Sequence, residues 1–158
     1  VQDLKPNYIE TPEDYLATLI LPLTDRRLII PNIVLAEIIE FIFPKTRPGL
    51  PNWLLGHIFW RGLNLPLLSF ELASGGKFER FSTSRIAVLN ALAGNNQRKF
   101  IALILRDIPT PARVSSDLKR ASMPSEKFEL SIALIDNNAV SIPDLVGLEN
   151  LLDTIPEL

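Results

Sequence analysis

Hydrophobic residues in this chain fall in short runs, separated at close intervals by turn-forming residues. That is the pattern of many short strands rather than of long helices. The clearest case is residues 54–68, read as Leu-Leu-Gly-His-Ile-Phe-Trp-Arg-Gly-Leu-Asn-Leu-Pro-Leu-Leu. An apolar run rises to Trp60, an Arg-Gly pair interrupts it, and Leu63, Leu65 and Leu67 resume it. A hairpin is predicted, because Gly62 can supply the positive φ that a tight turn demands. Upstream, residues 15–23 read as a first strand, 24–27 as a turn, 28–30 as a second strand, and about 33–41 as a third. In the third, Glu37 and Glu40 stand three apart, which a helix would also allow. The β-branched Ile33, Val34, Ile38 and Ile39 favour a strand.

Pro44, Pro48, Gly49 and Pro51 mark a loop, and Ser74-Gly75-Gly76-Lys77 reads as a flexible junction and a subdomain boundary. Beyond it, strands are predicted at 85–92 and 100–106, joined by a turn at 93–96, and at 110–114. Residues 115–127 are polar and read as loop or a short helical turn. A strand at 128–135, a turn at 136–138 and a short strand at 140–142 follow. An amphipathic helix over 144–153 closes the chain, with Leu145, Leu148, Leu151 and Leu152 on one stripe. Residues 1–14 are polar, contain Pro6 and Pro12, and are expected to form an extended arm. The sum is a mostly β protein of antiparallel barrels or sandwiches, with no strand–helix alternation of a nucleotide-binding sheet.

Composition adds exclusions. With 47% hydrophobic and 22% charged residues, the chain can bury a core. It has no cysteine, which removes disulfides, thiolate metal sites and cysteine nucleophiles. No apolar run reaches the roughly 18–20 residues needed to span a bilayer, and no secretion signal is expected. Net charge is −2, against the basic excess of nucleic-acid modules. The one basic stretch, from Arg98 to Arg120, has only Phe100 where a single-strand binding surface interleaves several aromatics, and reads as a solvated face or a protein contact. His57 is the only histidine and lies in an apolar strand, where a structural imidazole is the expectation. No nucleophile elbow, phosphate loop, dinucleotide fingerprint or metal-ligand spacing occurs, so no enzyme activity, metal or cofactor is expected.

Binding remains. Glu37 and Arg61 lie in different apolar segments, and each would be costly to bury without a partner. They read either as an internal ion pair fixing strand register or as a pair that also presents a recognition surface.

In this order of strands, turns and charges, the chain resembles the CheW-like coupling proteins of bacterial chemosensory arrays, from about Leu16 to Leu152. Residues 19–30 followed by Val34-Leu35-Ala36-Glu37-Ile38 look like the family's first hairpin and its Val-x-x-Glu-Ile-type strand. Gly49-Leu50-Pro51 to Gly56 matches a proline-containing lead into a glycine. Gly56-His57-Ile58-Phe59-Trp60-Arg61-Gly62, then Pro66, is similar to the signature Gly-x-x-Asn-Leu-Arg-Gly-x-x-x-Pro. Residues 136–145 resemble the family's closing turn, strand and helix.

The resemblance implies two SH3-like five-stranded barrels with a groove between them, here about 15–74 and 77–143, within a single domain of residues 15–158. It implies a cytoplasmic, non-enzymatic adaptor, associated with receptor arrays, that joins methyl-accepting chemoreceptor tips to the regulatory domain of a CheA-type histidine kinase. Carried over, Glu37 and Arg61 form the charged pair, Val34 and Ile38 belong to the surface meeting receptor or kinase, and Gly56 and Gly62 shape the central hairpin. The departures point to a divergent member. Phe59-Trp60 replaces Asn-Leu, Ser69-Phe70-Glu71 stands where an aspartate is usual, and Leu105-Arg106-Asp107 blurs a Val-Asp pair. Among such variants the chain resembles the ChpC type, from clusters controlling type IV pili and twitching motility. The alternative is an unrelated small β-barrel interaction module.

Overall fold

In the computed structural model, residues 15–94 and 97–156 are described. The arm expected over 1–14 and part of the turn at 93–96 lie outside them. The elements in chain order are β1 (Tyr15–Pro22), β2 (Arg27–Pro31), β3 (Leu35–Glu40), β4 (Leu54–Trp60), β5 (Leu63–Leu68), α1 (Phe70–Ala73), β6 (Arg85–Asn90), β7 (Phe100–Leu105), β8 (Thr110–Ser115), β9 (Glu129–Ile135), β10 (Asn138–Pro143) and α2 (Leu145–Leu152). Each predicted strand is present, with small shifts at its ends. The third begins late because Asn32–Val34 forms a single 3-10 turn. Phe128 stays outside β9 because its φ is +66°. The four residues of α1 went unpredicted; one helical turn is too short to show a period.

The strands form two five-stranded sheets, in the orders β8-β1-β2-β10-β9 and β3-β6-β7-β5-β4. This corrects the division at residues 74–77. The second sheet is the contiguous one, and the N-terminal hairpin joins β8, β9 and β10 in the first. The outer edge of β1 pairs with β8 from Tyr15↔Ser115 to Ile20↔Thr110, while β2 meets β10 in parallel at Leu28↔Ser141. Turn residues locate hairpins, but not these distant pairings.

Neither sheet is a barrel closed by a continuous ladder. Each is curled and pinned at one point by the segment that follows an edge strand. After β3, Lys45 exchanges both backbone hydrogen bonds with His57 of β4, at 2.8 and 2.9 Å. After β8, residues 119–121 bridge to β9, through Ala121 N–H to Ile132 O at 2.8 Å and Leu134 N–H to Lys119 O at 2.9 Å.

The second sheet is buried on both faces. On β6 and β7, Ile86, Val88, Ala102 and Ile104 point into its own curl with Ile58, Trp60, Leu65 and Leu67. The alternate residues Ala87, Leu89, Ile101, Leu103 and Leu105 pack against Leu21, Leu28 and Ile30 of the first sheet and Leu145, Leu148 and Leu152 of α2. Two-sided burial explains their nearly unbroken apolar runs.

Polar contacts line the joint between the halves. The Glu71 carboxylate, 1% exposed, accepts from the Thr24 backbone N–H at 3.0 Å and the Ser69 hydroxyl at 3.3 Å. Arg26 pairs with Asp25 at 2.8 Å and Glu129 at 3.3 Å, above the Phe70 ring. The Glu149 carboxylate, also 1% exposed, accepts from the backbone N–H groups of Leu92 at 2.7 Å and Ala93 at 3.1 Å.

Closure of the second sheet rests on Gly56, whose φ is +139° and where a Cβ would lie 2.4 Å from the Lys45 carbonyl oxygen. Gly62, at φ +78°, has open space around it. Gly56→Ala is therefore expected to cost about 3 kcal/mol in urea unfolding, since the clash is with backbone. Gly62→Ala should cost only the left-handed penalty of about 1–2 kcal/mol. Equal losses would mean that the Lys45 approach adds nothing to the cost of the positive φ.

Candidate functional site

The hairpin turn between β4 and β5 is where the sequence placed its most informative residues. Trp60 pairs with Leu63, so Arg61 and Gly62 form a two-residue loop with φ of +46° and +78°. Both central residues at positive φ define a type I′ turn, which matches the twist of the flanking strands. Glycine adopts this freely. Arginine does so at a cost of about 1–2 kcal/mol, so its contacts must hold it there.

Those contacts converge on Glu37. It follows a bulge in β3, where Leu35 pairs with Leu89 and Glu37 with Val88, leaving Ala36 as the extra residue. One carboxylate oxygen of Glu37 accepts from the Trp60 indole N–H at 2.6 Å, and the other accepts from the Arg61 guanidinium at 3.3 Å. The guanidinium carbon also lies 4.8 Å from the centre of the Trp60 ring. Trp60 itself is buried, its ring set edge-on to Phe100 at 4.9 Å.

Magnitudes separate these contacts. A buried indole N–H left without an acceptor costs about 1–3 kcal/mol, and a hydrogen bond to a charged group contributes about 1.5–3 kcal/mol. An exposed ion pair contributes about 0–1 kcal/mol. The Arg61 side chain is 68% exposed and that of Glu37 36%, so the Glu37–Trp60 bond carries the structural role. Arg61 adds little to stability and presents its remaining donors to solvent. Trp60 was missed as the partner of Glu37, although a tryptophan closing a buried strand must find an acceptor for its N–H.

Of the predicted site residues, the structure brings Glu37 and Arg61 together. Val34 is corrected: it is 5% exposed and belongs to the core shared by the two halves, not to the surface expected there. Ile38 is half-buried against the same core. Gly56 and Gly62 act through backbone, one at the closure of the sheet and one in the turn.

Among the described residues, no cluster of His, Asp and Glu could hold a metal, and no helix is long and apolar enough to cross a membrane. His57 is partly buried, and its Nε2 has no hydrogen-bond partner. Burial, and then the charge of Arg47, lowers its pKa below the ordinary 6.5.

Comparison with known proteins follows this geometry. A family model described as the CheW-like domain matches residues 17–151, and the chain belongs to that family. Among solved structures, it is similar to the crystal structure of the scaffolding protein TtCheW from Thermoanaerobacter tengcongensis. That likeness has a TM-score of 0.68 at 17% identity, covering 81% of this chain and 88% of the other, and it bears on the fold. No curated protein sequence matches the chain.

The His57 shift sets a pH dependence. The unfolded chain takes up the imidazole proton near pH 6.5, and the folded chain only at lower pH. Its contribution to stability is complete above about pH 6.5 and is lost as pH falls through the folded value. Urea midpoints measured from pH 7.5 to 5 should decline more steeply for wild type than for His57→Gln. Parallel profiles would assign the decline to other groups.

Proposed function

We propose that this protein is a non-catalytic, cytoplasmic adaptor linking the tips of methyl-accepting chemoreceptors to a CheA-type histidine kinase. We place it with the ChpC-like type that serves type IV pili and twitching motility. Membership of the CheW-like family supports the adaptor reading. The observation that carries the site is Arg61, held on Trp60 and Glu37 in a left-handed conformation yet largely exposed. A strained residue with little stabilising return fits a contact made to another molecule. Replacement of the family's Asn-Leu by Phe59-Trp60 supports a divergent member, because the exposed Phe59 changes the surface next to that arginine.

Such contacts combine a few apolar anchors with rim charges, and weak single contacts gain strength from repetition in an array. The test is titration calorimetry against the regulatory domain of the kinase from the same organism, and against a receptor tip fragment. Arg61→Asn is the informative variant, because asparagine tolerates positive φ and should leave the turn intact. Wild type should bind saturably, with Arg61→Asn weakened about fivefold or more at an unchanged melting temperature. Equal affinities would remove Arg61 from the interface. Absence of binding by folded wild type to both partners would remove the adaptor reading.

A further inference from the structure

A second arginine is mounted on aromatic rings beside the same curled sheet. Arg80 lies 4.8 Å from the centre of the Phe41 ring and 5.0 Å from that of Phe43, and the two rings meet edge to face at 5.0 Å. Arg80 is exposed, and it makes no hydrogen bond or ion pair among the described residues. Its sequence neighbour Glu79 is exposed too, and engages Thr24 through backbone groups rather than Arg80 through its carboxylate. Phe41 packs on the inner cluster that holds Trp60, as does Phe78 two residues before Arg80. Both arginine mounts therefore border one apolar plug.

The surroundings are apolar and open. Phe43 is 74% exposed, Phe59 72% and Ile42 44%. The antiparallel register of the Lys45–His57 bridge runs Phe43 toward Phe59. Single exposed apolar residues are ordinary, whereas an exposed phenylalanine packed on a second ring beneath one cation, with Ile42 between them in sequence and Phe59 on the strand alongside, marks a contact surface. Two ring faces orient the guanidinium in advance and leave its donors outward, which reduces the entropy lost when a planar anion is bound. Charge and apolar area together specify the occupant.

We propose that Phe43, Phe59 and Arg80 form a docking face for an acidic, leucine-bearing segment of a partner protein. Its apolar side chains would cover the two phenylalanines, and a carboxylate would meet Arg80. This face adjoins the Glu37–Arg61 pair through Phe59 and extends from it to Arg80, and it does not depend on which kinase or receptor binds at that pair. A second copy of this chain is a poorer fit, because it brings the same cation to the face.

The test uses a labelled amphipathic peptide of about 18 residues, built from leucine and glutamate, with a leucine–lysine peptide as its counterpart. Fluorescence anisotropy should show saturable binding of the first only, weakening with added salt. Arg80→Glu and Phe43→Ser should each reduce affinity about tenfold, and Arg80→Gln, at an exposed position, keeps the test valid if either fails to fold. Absence of saturable binding by folded wild type would overturn the proposal. So would equal binding of the lysine peptide, or full affinity in Arg80→Gln. A concentration-dependent dimer in sedimentation, lost in Phe43→Ser, would reassign the face to a second copy.

Discussion

The constraint on which this structure depends is that β6 and β7 are apolar on both faces. A sheet with one covered face would leave Ile86, Val88 and Ile104, or else Leu89, Leu103 and Leu105, in water. At about 25 cal/mol per Å² of apolar surface, that exposure would be comparable with the whole margin by which a domain of this size is stable. The second sheet answers by curling round one set of residues and offering the other to the first sheet and α2. Curling brings β3 and β4 together at Lys45 and His57. The remaining face fixes where the first sheet must sit.

That arrangement accounts for the interleaved topology. Strands from both ends of the chain are needed to cover the outer face of the contiguous sheet, and β2 and β10 meet in parallel across it. The joint is apolar at its centre and acidic at its margin. Glu71 and Glu149 are almost fully buried, and both spend an oxygen on backbone N–H groups of a loop from another element. Buried carboxylates are costly unless satisfied in this way. The bonded oxygens hold loops in one position, although the other oxygen of Glu149 has no hydrogen-bond partner among the described residues. Burial opposes ionisation of Asp25, and the Arg26 guanidinium and the Lys77 N–H overcome it, holding its carboxyl below the ordinary value.

Most of the fold was legible in the sequence, because most strands are short, apolar and bounded by a turn with its own chemistry. Asp136 and Asn137 take φ of +50° and +64°, the conformation their side chains tolerate best after glycine. Asp144 caps α2 through the Gly147 N–H at 2.9 Å, as its place before a leucine stripe suggests. The assignment of strands to sheets was not legible, since pairing over a hundred residues leaves no local mark. Val34 shows the matching limit at the site. Alternation gives a strand two faces but does not say which meets solvent, and the 3-10 turn at Asn32–Val34 shifts the phase before β3 begins.

The Glu37 contact shows how a substitution next to a charged pair can change what the pair does. With leucine before the arginine, as in the family signature, a carboxylate at position 37 would have no indole to serve. Here Trp60 takes one oxygen at 2.6 Å, and Arg61 is left with the other at 3.3 Å. The shorter bond goes to the group that burial makes dependent on it, and the exposed cation, which water can solvate, keeps the longer one. Stacking on the indole then orients Arg61 without neutralising it further. The tryptophan has divided the carboxylate between a structural bond and a surface contact, so the geometry that fixes the hairpin also keeps a guanidinium turned toward solvent.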